Sequence, residues 1–198
     1  MTEPIFKSIL GDDWYNLPII FRKHYANKSF SNDITTTSGV MNIEFNWLIN
    51  LLLPFLKFFG VLVPYKGNNI PVTVNFLSKL NSAAFYLERK FNLSNNKIYI
   101  FYSKIIQLKG DIVIEFIKFN IGWKYRFYYS DNKVILEHRG YVIKLFGKII
   151  PLPIELLLGK TYAEENAIDD DNFNMKMSII HPFFGKIYSY DGVFNISK

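Results

Sequence analysis

Arg89 has the most chemically informative position in this sequence. Alternation through residues 85–91 puts it on the same face as Phe85, Leu87 and Phe91. A guanidinium directed into an apolar face keeps its charge, so it needs a carboxylate inside the fold or an anion from outside. Two readings follow. Arg89 pairs with a carboxylate such as Glu115 on a neighbouring strand, or it grips the carboxylate or phosphate head of an amphipathic ligand. The tail of such a ligand would lie along an aromatic wall in residues 121–140. There Trp123, Tyr125, Phe127 and Tyr129 alternate with Lys124, Arg126 and Tyr128, and Asp131-Asn132 breaks the pattern as a hairpin turn would. The candidate ligand-binding residues are therefore Arg89, Trp123, Tyr125 and Phe127, joined by Arg22 and His24 from a segment expected to cover the sheet.

Other chemistry is sparser. His138 shares a face with Val134 and Leu136, as a satisfied core or edge histidine does. With only His24, His138 and His181 in the chain, no His-x-x-x-His or carboxylate-flanked metal pattern can be drawn, and no metal site is expected. Asp169, Asp170 and Asp171 lack the glycine and terminal glutamate of a calcium loop and read as a solvated turn. Glu164 and Glu165 are neighbours on a strand, so their carboxylates point to opposite faces. No Gly-x-Ser-x-Gly, phosphate loop or dinucleotide fingerprint is present, and no cofactor is expected.

The elements that must position these residues fall into two parts of a single domain, 1–198. Residues 1–64 read as mostly helical. Ile5, Phe6, Ile9 and Leu10 have helical spacing and Gly11 stops the turn; Asp12 or Asp13 caps a second turn carrying Trp14 and Leu17, and residues 19–25 form a short helix behind Pro18. Residues 27–37 are polar and turn-rich, followed by a short strand over 40–45. Residues 47–64 are the most hydrophobic run. Asn50, Pro54, Lys57 and Gly60 interrupt it, which favours a buried or surface-docked helix over a membrane-spanning one. From residue 70 the period becomes two, giving an antiparallel β meander over 70–198 with turns at Asn95-Asn96 and Lys109-Gly110-Asp111. About eight to ten strands cannot stay flat. The expected fold is α+β, a large curved antiparallel β-sheet or half-barrel packed on N-terminal helices.

Composition sets the remaining bounds. Aromatic residues make up 18% of the chain, which excludes a disordered segment, and zero cysteines exclude disulfides and thiol chemistry. The net charge of +6 comes mainly from scattered lysines, with only four arginines and no basic run, so nucleic acid is not an expected partner. The first residues lack the pattern of a secretory signal, and a cytoplasmic location is expected.

The order of short motifs along the chain carries a resemblance. Leu10-Gly11, Trp14, Leu17-Pro18, Arg22 and His24-Tyr25 are followed by the leucine-rich segment at 47–60, Pro71-Val72-Thr73-Val74, Arg89-Lys90-Phe91 and Pro151-Leu152-Pro153. Phe184-Gly185 and Tyr190-Asp191-Gly192 close the series. Over nearly its whole length the sequence resembles the bacterial domain of unknown function 4166 family. It departs from the pattern at Leu87, where a tryptophan is expected two residues before the strand arginine. The resemblance implies an accessory or ligand-handling domain, found alone or fused behind saccharopine-dehydrogenase-like reductases. The function expected from residues and resemblance together is non-enzymatic binding of a hydrophobic or amphipathic, lipid-like molecule between sheet and helices, with Arg89 as anchor. Two alternatives stand beside it. One is a catalytic or accessory subunit of an NAD(P)-dependent saccharopine-dehydrogenase-like reductase, with His24 or His138 moving a proton. The other is a peripheral membrane protein docked through residues 47–64.

Overall fold

A computed structural model of the chain describes residues 3–94 and 97–197. It contains eleven strands: β1 (Ile34–Phe45), β2 (Gly67–Lys79), β3 (Ser82–Asn92), β4 (Ile98–Lys109), β5 (Ile112–Phe116), β6 (Ile121–Ser130), β7 (Lys133–Leu145), β8 (Lys148–Leu152), β9 (Lys160–Ala167), β10 (Asn172–His181) and β11 (Gly185–Ser197). The helices are α1 (Ile5–Leu10), α2 (Ile19–His24), α3 (Trp47–Phe59) and α4 (Glu155–Leu158).

Neighbouring strands pair antiparallel from β1 through β7. β7 then pairs with β9, β9 with β10, β10 with β11, and β11 returns to β1. The result is a closed ten-strand barrel with β8 as an extra strand on the upper half of β7. The half-barrel expectation is corrected by this closure, and the helices plug and cap the barrel instead of underlying an open sheet. The closing strand was obscured by its composition. Residues 34–38 are Ile-Thr-Thr-Thr-Ser, which read as polar loop, yet Thr36 to Phe45 all pair with β11. The helical part expected over 1–64 therefore includes a twelve-residue strand. The turn expected at Asn95-Asn96 lies outside the described residues.

Pairing gives each of the ten barrel strands two neighbours, although β4 meets β5 only from Lys104 onward and residues 98–103 pair on the β3 side alone. It also sends alternate side chains into the lumen, among them Val72, Val74 and Phe76 from β2 and Phe85, Leu87 and Phe91 from β3, all buried. Close approach of β1 and β11 requires glycine. A Cβ on Gly192 would stand 2.5 Å from the Val40 carbonyl oxygen and 3.1 Å from the Phe194 ring. Gly192→Ala is expected to cost about 1–3 kcal/mol through overpacking. An unchanged midpoint in urea unfolding would show that the seam relaxes freely.

Three local features set the shape. The β6–β7 hairpin turns at Asp131 and Asn132, both at positive φ (51° and 60°), as a two-residue turn matched to strand twist requires. Gly140, at φ 115°, lies beside a register shift between Trp123 and Tyr125. Beyond it β7 changes its second partner from β9 to β8, so the strand expected at 141–146 is the continuation of β7.

The N-terminal segment closes the end of the barrel at which β1 begins. Phe6 packs against Phe85, Phe127 and Tyr25 at 4.5–4.9 Å between ring centres. Asn27 donates from its side chain to the carbonyls of Asp33 and Phe76, and Lys23 pairs with Asp171 at 2.7 Å. At the opposite end α3 connects β1 to β2. The Asn46 side chain accepts from the Leu48 and Ile49 N–H groups, and Gly60 ends the helix in the left-handed region at φ 62°. Because the strands alternate in direction, the loop at 117–120, α4 and the loop at 182–184 lie at this same end.

Candidate functional site: an apolar lumen with a polar belt

The barrel encloses a cavity of about 550 Å³. The expected pocket between sheet and helices is thus a lumen inside the sheet, with α3 and α4 across its mouth. Leu52, Leu56 and Phe59 of α3 and Leu157 and Leu158 of α4 border it there; Phe76, Phe173 and Phe194 border it near the plug.

A small set of polar side chains interrupts the apolar lining. Arg89 Nη2 lies 2.9 Å from Glu115 Oε1, and Arg89 Nη1 donates to Ser103 Oγ at 2.8 Å. Ser103 in turn donates to Glu115 at 2.5 Å, so arginine, serine and carboxylate form a closed triangle across β3, β4 and β5. Burial works against the guanidinium's charge, but Glu115 and its surroundings hold the Arg89 pKa above its ordinary value. The internal pair with Glu115, one of the two readings of Arg89, is present in the structure.

Glu165 projects into the lumen from β9, while Glu164 pairs with Lys133 on the outside at 3.1 Å, so the two carboxylates do face opposite ways. The Tyr25 hydroxyl donates to Glu165. Burial pushes the Glu165 carboxyl up to about 7, opposed by Tyr25 and Arg89. The sequence offered a usable signal for this residue: Thr161, Ala163 and Glu165 share a face, and Glu165 had only to be read as inward.

His24 is a core residue, 1% exposed, with its ring 4.4 Å from Phe76 and 4.7 Å from Phe173. Burial lowers its pKa to about 3, so the ring is neutral at ordinary pH. Its Nδ1 and the Thr37 Oγ1 are buried without a hydrogen-bond partner, and both residues border the lumen. Arg22 is not brought to the site, since it is exposed on α2. The hairpin wall is divided. Trp123 borders the cavity; Phe127 packs against the plug; Tyr125 is wholly buried with its ring 4.3 Å from Trp123.

Trp123 also leads outward. Its Nε1–H donates to His138 Nδ1 at 3.0 Å, which leaves the His138 proton on Nε2, 3.0 Å from Glu155 Oε1. Burial lowers the His138 pKa, with Glu155 opposing. His138 is thus satisfied on both ring nitrogens. Among the described residues no three His, Asp or Glu side chains group to hold a metal.

This geometry defines an up-and-down antiparallel β-barrel with one plugged end and an apolar, polar-belted lumen. The chain belongs to the family described as Domain of unknown function (DUF4166), whose sequence model matches residues 17–194. No curated protein matches it. Among solved structures it is similar to the crystal structure of Rv2717c from M. tuberculosis, at 8% identity and a TM-score of 0.44, over 82% of this chain and 91% of that one. A putative thioesterase II from Thermobifida fusca YX gives 5% identity and a TM-score of 0.25, over 83% of this chain and 78% of that one. The dehydratase domain of the polyketide PpsC from Mycobacterium tuberculosis gives 4% identity and a TM-score of 0.20, over 90% of this chain and 80% of that one.

Proposed function

We propose that the protein binds a predominantly apolar small molecule in the barrel lumen and sets an uncharged hydrogen-bonding group of that molecule against the polar belt. The lumen itself carries the reading. Its volume falls within the roughly 300–1,000 Å³ range of small-molecule sites, and its few polar groups converge in an apolar lining. The belt favours a neutral head. Arg89 is balanced by Glu115, and a second carboxyl, Glu165, would repel an anion once ionised. Thr37 Oγ1 and His24 Nδ1 are free to meet a hydroxyl, amide or carbonyl.

The neutral dye N-phenyl-1-naphthylamine tests this. Saturable uptake at one dye per chain is expected, with affinity at least about tenfold weaker in Met177→Trp, which adds bulk to a lumen-lining position. In displacement at pH above 7, decanol should compete better than decanoate. Uptake that ignores Met177→Trp would overturn the lumen site, and decanoate as the better competitor would assign Arg89 to an anionic head.

A further inference from the structure

We propose that the open end of the barrel docks on an anionic lipid bilayer, with the mouth of the lumen facing the membrane. On α3, Leu56 is buried and Leu52 half-buried against the lumen, while Trp47, Leu51, Phe55 and Phe58 are 60–67% exposed, Phe55 also bordering the cavity. The exposed side is not an isolated helix face. Trp47 meets Phe184 of the 182–184 loop at 5.5 Å, and Phe58 stacks on Phe119 of the 117–120 loop at 5.4 Å. Leu156 and Leu157 of α4 and Phe183 are exposed at the same end. Four separate elements therefore build one apolar surface around the mouth. Large exposed surfaces of this kind mark protein or membrane contacts.

Charge identifies the bilayer as the occupant. Lys57, Lys66, Lys97, Lys118, Lys148 and Lys186 belong to the segments at the mouth, where the carboxylates are Glu44 and Glu155, the latter engaged by His138. Lys118 lays its stem along Gly60 at the end of α3, so its ammonium borders the apolar surface. The plug end is mixed: Asp12, Asp13, Asp33, Asp111, Asp131 and Asp169–Asp171 stand there with Lys7, Lys23, Lys28, Lys79, Lys109 and Lys133, and Lys23 pairs with Asp171. Six lysines scattered in the sequence are thus gathered at the mouth by the fold. Apolar groups ringed by lysine suit the boundary between anionic headgroups and acyl chains. No helix among the described residues is long and apolar enough to cross a membrane, and the contact proposed is interfacial.

The test is flotation of the full chain with vesicles of neutral phosphatidylcholine alone or with about 30 mol% phosphatidylglycerol, at low and high salt. Flotation is expected with the anionic vesicles at low salt, with a blue shift of Trp47 fluorescence. Phe55→Ser with Phe58→Ser should weaken binding at least about tenfold, and each of Lys57→Gln, Lys118→Gln and Lys186→Gln about fivefold. Leu80→Ser, exposed at the plug end, should leave binding unchanged. Flotation indifferent to the rim variants would overturn the proposal. So would no flotation at all, or rim variants whose only effect is to dissociate a homodimer. The result is independent of the lumen reading, because dye uptake is measured without vesicles and flotation without dye.

Discussion

Arg89→Ala is expected to destabilise the protein by about 3–5 kcal/mol, because the truncation leaves the Glu115 carboxylate inside the barrel without its counter-charge. The side chains of both residues are less than one-fifth exposed, so water compensates poorly. Ser103 adds to the loss: it now donates to Glu115 while accepting from Arg89, and it would keep only the first bond. The companion variant, Arg89→Met with Glu115→Leu, removes both charges and should recover most of the loss. A buried pair repays little more than the desolvation of its own members. Urea unfolding of the wild type and the two variants near pH 7 distinguishes the cases. A single-variant loss under about 1 kcal/mol would mean that the pair is hydrated like a surface bridge.

The second large effect concerns pH. Glu165 is raised from 4.5 to about 7, so its contribution to stability is complete below 4.5 and is lost as pH rises to 7. His24 runs the other way. Lowered from 6.5 to about 3, it contributes fully above 6.5 and loses stability as pH falls toward 3. Each group accounts for about 1.4 kcal/mol per pH unit within its window. Between 4.5 and 6.5 the two slopes oppose and cancel. Glu165→Gln keeps an acceptor for Tyr25 and removes the titration. The variant should be about 3 kcal/mol more stable than wild type near pH 8 and no different near pH 4. A gain equal at both pH values would place the Glu165 carboxyl in contact with water.

How much of this was legible depended on whether a feature is written in alternation. The inward set of β3, including Arg89, and the Trp123–Phe127 wall follow from period two. The Arg89–Glu115 pair was available as one of two readings, because a charge facing inward demands a partner. Closure of the barrel was not available. The closing strand begins Ile34-Thr35-Thr36-Thr37-Ser38, and its inward positions Thr35, Thr37 and Gly39 are small or polar, so no hydrophobic period marks them. β8 escaped for a related reason. Lys148–Leu152 pairs only with β7 and packs Ile149 on the outer Ile114, Phe116 and Val142 cluster. Its five residues, Pro151 among them, look like the start of a loop. His24 and Arg22 were read together as site residues on a helix covering the sheet, and their spacing alone does not separate them. The plug turns that helix so that His24 enters the core while Arg22 stays outside.

The lysine-rich rim of the mouth is likewise a property of the fold. Residues at 57, 118 and 186 have no relation in sequence until strand alternation brings them to one end. That rim matters for the lumen as well, since a mouth in contact with a bilayer would exchange an apolar occupant without passing it through water.

The most direct measurement is native mass spectrometry of the purified full chain, with organic extraction and analysis of whatever is released. The lumen account predicts a bound, mainly apolar compound with a neutral polar group at near-stoichiometric occupancy, displaced in Met177→Trp. A wild-type protein that is empty and takes up neither added decanol nor decanoate would contradict it, and the enclosed space would then be no more than a packing void.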